Sequence, residues 1–355
     1  MNSTSLSSAA ARKNQVSSET TLAHCINKLV ERLVEDTHVP GYALTVVHYG
    51  QTVIQKGYGF ADLETKRCVT PETVFGLASI TKTFTALALL LLMDEGRVKA
   101  EDSLAQHLLK ISPEWGKLTI EQLADMTAGI AKRLEPKELV WPEEMEILQW
   151  RPLDSPPGTQ YSYSNPSYRT LGTVIEQVTG DSYMKFLRER VLDPLAMTDT
   201  GKTDDRFDPP IAVPYKLEEG NPVRVKHYTD PAINFAAGML ASNSVDMERY
   251  ARALLARKLL SPEGYERFWF ERPYLPDGKR SNWAYGWGNN RKDGTLRIGM
   301  NGGMPGVASS LLIFPEEELI VIGLANARGD GIHEIAHWVA AEVLGREVGE
   351  PEIHE

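Results

Sequence analysis

The stretch FGLASITKTFTALALLLLMDEG, Phe75 to Gly96, decides how the chain is read. Its apolar run predicts a buried helix over 79–95, closed by Gly96 just past the C-terminus. Ser79 and Lys82 stand three residues apart, so a helix beginning at Ser79 sets both side chains on one face of its first turn. The free N–H groups and positive dipole end there favour an alkoxide and offer a donor to an oxyanion. An isolated Ser-x-x-Lys is equally a helix cap beside a solvated lysine, so the rest of the chain has to decide.

Upstream, residues 21–36 repeat apolar positions at helical spacing and stop at Pro40-Gly41. YALTVVHYG and QTVIQKGYG then alternate around Gly50-Gln51 as a hairpin of two strands. From 99 to 232 the pattern is helices joined by Pro and Gly loops. Beyond Phe235 come one more helix (SVDMERYARALLARKLL), three strands (TLRIGM, VASSLLIF, LIVIGLAN) and a last helix over 331–344. Strands with helices at both ends of the chain and a helical insert between them make an α+β architecture. The expected organisation is a disordered tail over 1–20, a discontinuous α/β domain over 21–98 and 233–347, an all-helical domain over 99–232 and a C-terminal tail over 348–355.

The chain has 355 residues, of which 42% are hydrophobic and 24% charged, enough for two regions around a sizeable core. Its net charge of −10 argues against phosphate-backbone and anionic-membrane binding, so neither nucleic acid nor membrane is an expected partner. The longest apolar run, Ala86 to Met93, is far short of the ~20 residues that span a bilayer. Cys25 and Cys68 lie in no metal or redox spacing. The Ser-rich start has no apolar signal segment, so the expected compartment is the cytoplasm.

Ser79 and Lys82 are followed by PPGTQYSYSNPSY, with Tyr163-Ser164-Asn165, and by GMNGGMPGVASSLLIF, a Gly-rich turn entering a strand. This order, Ser-x-x-Lys, Tyr-x-Asn and a Gly-rich strand, resembles the serine β-lactamase and penicillin-binding protein superfamily, in its class C β-lactamase-like esterase branch. The resemblance runs over roughly 25–345 and includes VLDPLAMTDT and YGWG. It implies the β-lactamase/transpeptidase-like fold, an antiparallel sheet flanked by helices plus a helical region, with the site in the cleft between them. It implies that Ser79 is the acylated nucleophile, that Lys82 and Tyr163 act jointly as the base, and that Asn165 orients Lys82 and the substrate. The backbone N–H groups of Ser79 and Gly303 would form the oxyanion hole. A lysine titrating near ~10.4 must come down by about 4 kcal/mol to act as a base at neutral pH.

The third motif departs from the family pattern. The Lys/His-x-Gly position is taken by Met300, Asn301 and Gly302, and a methionine cannot hold a substrate carboxylate as a cation does. A neutral small-molecule ester or amide is therefore expected, with no cofactor and no metal, and a carboxylesterase is the first reading. β-Lactamase, D-amino-acid amidase or peptidase and transacylase activities are alternatives on the same fold, and a non-catalytic scaffold is one of another class. HEIAH, residues 333–337, matches the zinc-peptidase pattern H-E-x-x-H, with His333 and His337 as ligands and Glu334 as base. A third ligand would have to come from Glu342, Glu347, Glu350 or Glu352. The competing expectation places Ile335, Trp338, Val339 and Val343 against the sheet. Trp283, Tyr285 and Trp287, with Trp141 and Trp150, are candidates for a pocket wall or for core.

Overall fold

Val, Ile and Leu without interruption mark a strand covered on both faces, and LIVIGLA is the central example. In the computed structural model, which describes residues 21–131, 139–292 and 294–348, it forms a strand in the middle of an eight-stranded antiparallel sheet. The strands are β1 (Gly41–His48), β2 (Gln51–Asp62), β3 (Arg67–Cys68), β4 (Trp283–Ala284), β5 (Trp287–Lys292), β6 (Thr295–Met304), β7 (Val307–Phe314) and β8 (Leu319–Ala325). Their order is β3-β2-β1-β8-β7-β6-β5-β4, so both ends of the chain meet where β1 pairs with β8, Leu44 opposite Gly323. On β8, Ile320, Ile322 and Leu324 face one core, while Leu319, Val321 and Ala325 face another.

The second core packs helix α1 (residues 21–36) and helix α5 (Glu334–Leu344) on the outer face of the sheet. The first holds helix α2 (Thr81–Asp94), with α3 (Asn165–Thr179) and α4 (Ser244–Leu255) around it. α2 is apolar on nearly every side because it runs through the middle of the protein. Its threonines are buried but bonded: Thr83 Oγ1 donates to Ile80 O at 2.8 Å, and Thr85 Oγ1 to Ala236 O at 2.6 Å. Gly96, at φ 69°, closes the helix as the sequence predicts.

Element by element, the α+β reading is met. The β1–β2 and β7–β8 hairpins and α1, α2, α4 and α5 fall where the patterns place them. The stretch 99–232, read as helical, also carries strands at Gly201–Lys202, Tyr215–Glu218 and Asn221–Arg224. The last two form a hairpin turned by Glu219 and Gly220, both at positive φ. Its second strand is exposed throughout, so no apolar alternation announces it. β5 shows no strand pattern for a related reason: WGNNRK is polar after its first residues. The expected tails over 1–20 and 349–355 lie outside the described residues. Val348, placed in the C-terminal tail, is buried against the outer core. No helix among the described residues is long and apolar enough to cross a membrane.

Candidate active site

A 3-10 turn, Ala78–Ile80, leads directly into α2, so Ser79 precedes the α-helix, which begins at Thr81, instead of opening it. Ala78 is held at φ 47°, a left-handed conformation that costs a non-glycine residue of order 1–3 kcal/mol. The turn leaves Ser79 half-buried at the surface of the core, with Lys82 fully buried beneath it.

Three side chains converge there. Tyr163 donates its hydroxyl proton to Ser79 Oγ at 2.7 Å. Lys82 Nζ is 3.1 Å from the same oxygen and donates to Ala237 O at 2.8 Å. The amine also lies over the rings of Tyr163, 4.9 Å from its centroid, and Tyr168, 5.9 Å. Burial holds Lys82 well below the ordinary lysine range, and the positive charge of Arg169 acts in the same direction. Burial pushes the Tyr163 phenol upward, opposed by its bond to Ser79. Both shifts favour uncharged partners: an amine with a free lone pair and a phenol that keeps its proton. This arrangement can take a proton from Ser79 and return one to a leaving group.

Asn165 opens α3 two residues after Tyr163, where Ser164 caps the helix by accepting from Ser167 N. The partners of Lys82 are Ser79 and Ala237 O, so the orienting bond expected from Asn165 is made instead by a backbone carbonyl. Ala237 comes from NFAAGM, where Phe235 adopts φ 39°, and nothing in its spacing to Lys82 announces that role. Arg169 pairs with Glu144, both buried, and sits over Trp141. A charged residue inside the otherwise uncharged PSYRTLG is the one sequence signal that could have found it.

The third motif runs along the end of β6. Met300 is 2% exposed and belongs to the core, so it presents no polar group to a substrate. Asn301, on the opposite strand face, has its Oδ1 buried without a hydrogen-bond partner among the described residues. A Cβ at Gly302 would stand 2.2 Å from Leu77 O, 2.4 Å from Ser309 Oγ and 3.1 Å from Ser79 N, so only glycine lets the strand reach the serine. We expect Gly302→Ala to lower the denaturant midpoint by an amount equivalent to about 2–3 kcal/mol, the cost of overpacking. Unchanged stability would show that the strand end is loose. Pairing of β5 with β6 ends at Gly288 opposite Gly299, and among the described residues no strand pairs with the outer edge of β6 from Met300 onward. Gly303 lies on that edge.

Trp283 packs edge-on against Tyr163 at 5.7 Å and against Tyr168 at 6.3 Å, and its Nε1 donates to Ala124 O. With Tyr285 and Trp287 it is buried, so this cluster is core that braces the phenols. Trp141 donates Nε1 to Thr173 Oγ1, and Trp150 is 70% exposed.

In HEIAH, His333 Nε2 is 2.9 Å from Gly302 O, and His337 Nδ1 is 3.1 Å from Arg297 Nη1, whose cation disfavours a metal ion beside it. No group of three His, Cys, Asp or Glu side chains able to hold a metal occurs among the described residues. Glu350 and Glu352 lie outside them. Ile335 and Val339 pack on the sheet as expected, whereas Trp338, expected there too, is 45% exposed because it falls on the opposite side of α5.

Comparison with known proteins agrees with this geometry. Protein flp of Staphylococcus aureus (strain N315) is 25% identical over 90% of the chain, which spans 66% of that relative, just under two thirds of its length. The octameric penicillin-binding protein homologue from Pyrococcus abyssi superposes with a TM-score of 0.77 at 25% identity, covering 91% of this chain and 78% of that one. The class C β-lactamase from Rhodobacter sphaeroides, 22% identical, shares the fold with a TM-score of 0.77, covering 90% and 99%. With the Beta-lactamase family profile matching residues 26–345, the chain belongs to the β-lactamase family of serine hydrolases.

Proposed function

We propose that this chain hydrolyses a carboxylic ester through an acyl-enzyme on Ser79, with amides as the second substrate class. The observation that carries the reading is the placement of Ser79 Oγ between the Tyr163 hydroxyl and a Lys82 amine whose pKa burial draws well below the ordinary lysine range. Lys82 accepts the Ser79 proton as Oγ attacks the carbonyl carbon, and the N–H groups of Ser79 and Gly303 receive the oxyanion. As the intermediate collapses, Tyr163 gives its proton to the leaving group and recovers one from Lys82. Water then repeats the cycle on the acyl-enzyme, and another acceptor in its place would give transacylation. Esters come first because Met300, buried where the family carries a cation, holds no carboxylate on the Ser79 side of the strand.

The test is to incubate the purified protein with short-chain p-nitrophenyl esters, the matching anilides and nitrocefin, with and without chelator. A serine-directed fluorophosphonate and mass spectrometry of the peptide containing Ser79 follow. The expected result is ester turnover unaffected by chelator, slower anilide turnover and one phosphonate adduct on Ser79. Nitrocefin turnover above that of the esters would replace the esterase reading with a β-lactamase. An unlabelled Ser79 with no turnover would leave a scaffold.

A further inference from the structure

One buried carboxyl stands apart from Ser79. Asp125 follows the short helix Ile120–Ala124, is 4% exposed and lines a cavity of about 360 Å³ with Gln122, Arg272, Pro273, Tyr274 and Tyr285. Ser79, Lys82, Tyr163 and Gly303 take no part in its wall. We propose that this cavity is a second binding site, which takes a small organic ammonium ion with a compact aromatic body and uses Asp125 as its anchor.

A carboxyl withdrawn from water needs donors or a cation in its place. Among the described residues no hydrogen bond engages the Asp125 carboxyl, and Oδ1 is enclosed without a partner. Burial pushes this carboxyl well above its ordinary range, the charge of Glu121 acts in the same direction, and Arg272 and Arg267 do not make up the difference. These and the third arginine nearby are engaged elsewhere. Arg267 faces Glu121 at 3.5 Å and Glu271 at 3.8 Å, Arg272 Nη1 donates to Glu271 O at 2.5 Å, and Arg280 lies over the Tyr274 ring at 4.8 Å. An ammonium laid against Asp125 would hold it ionised in place of the proton.

The rest of the wall selects the sign of the ligand. Arg272 and Arg280 line the cavity, but so do Asp125, Glu121 and Glu271, and an anion drawn to the two arginines would meet three carboxyl groups. A cation is attracted by all three. Tyr274 and Tyr285 add ring faces for an aromatic body and for the charge on it. The site is separate from the Ser79 cleft yet adjoins its supports: Ala124 O, next in the chain to Asp125, accepts from Tyr168 Oη at 2.8 Å and from Trp283 Nε1 at 3.3 Å.

The test titrates benzylamine, and benzyl alcohol as its uncharged counterpart, into the full chain near neutral pH by calorimetry. The parent should bind one benzylamine with a Kd of about 1 mM or below, and the alcohol about tenfold more weakly or worse. Asp125→Asn keeps the shape and removes the charge, so it should weaken benzylamine about tenfold or more while melting no lower than the parent. Tyr274→Ala removes a side chain that is 67% exposed, and should weaken benzylamine about two- to fivefold in a folded protein even where Asp125→Asn does not fold. The proposal is overturned by benzylamine that binds no better than the alcohol, that binds both variants as it binds the parent, or that does not saturate the parent below about 20 mM.

Discussion

On the proposed reading, Ser79→Ala should lower ester turnover by about 10⁴-fold or more, the loss expected when a nucleophile is removed from a set of groups that act as a unit. The same substitution should abolish the phosphonate adduct and leave the fold intact, because Ser79 is half-buried and alanine removes only the hydroxyl that accepts from Tyr163 and Lys82. Turnover and mass spectrometry should be read on one preparation, with circular dichroism confirming that it is folded. Activity within tenfold of the parent would show that another group attacks the carbonyl.

Lys82→Met keeps the length of the side chain and removes the lone pair, and should cost about 10²–10⁴ in kcat, the usual contribution of a general base. Activity in the parent should fall as the pH drops through the depressed pKa of Lys82, because protonation occupies the lone pair. Stability carries the matching signature. Between that pKa and ~10.4 the unfolded lysine binds a proton that the folded one does not, so this residue makes stability rise with pH, by about 1.4 kcal/mol per pH unit. Lys82→Met removes the dependence, so the variant should be more stable than the parent near neutrality and their melting temperatures should converge as pH approaches 10. Tyr163, with its pKa raised, acts oppositely only above its ordinary value of about 10. Melting curves of both proteins at several pH values test this, and a constant difference would mean that Lys82 is charged in the folded protein.

Local pattern carried the main elements. The closed apolar helix at 79–95, the hairpin alternation at 41–62 and the unbroken strands at 307–325 each obey a period set by backbone geometry, and a period needs no knowledge of distant residues. The same holds for Ser79 with Lys82, whose contact follows from a spacing of three. Tyr163 lies 84 residues further on, and family likeness alone brought it to the serine. No spacing ties Ala237 O, Arg169 or Trp283 to Lys82 and Tyr163; they meet because α2 is enclosed by segments from three parts of the chain.

What the sequence by itself determined is the class of fold and the helix that carries Lys82 three residues after Ser79; the expectation of no cation at Met300 came with the family resemblance. What only the tertiary structure decided is charge. Burial draws the Lys82 amine well below the ordinary lysine range and pushes the Tyr163 phenol upward. Burial and proximity depend on which surfaces the folded chain brings together, and no local period encodes them.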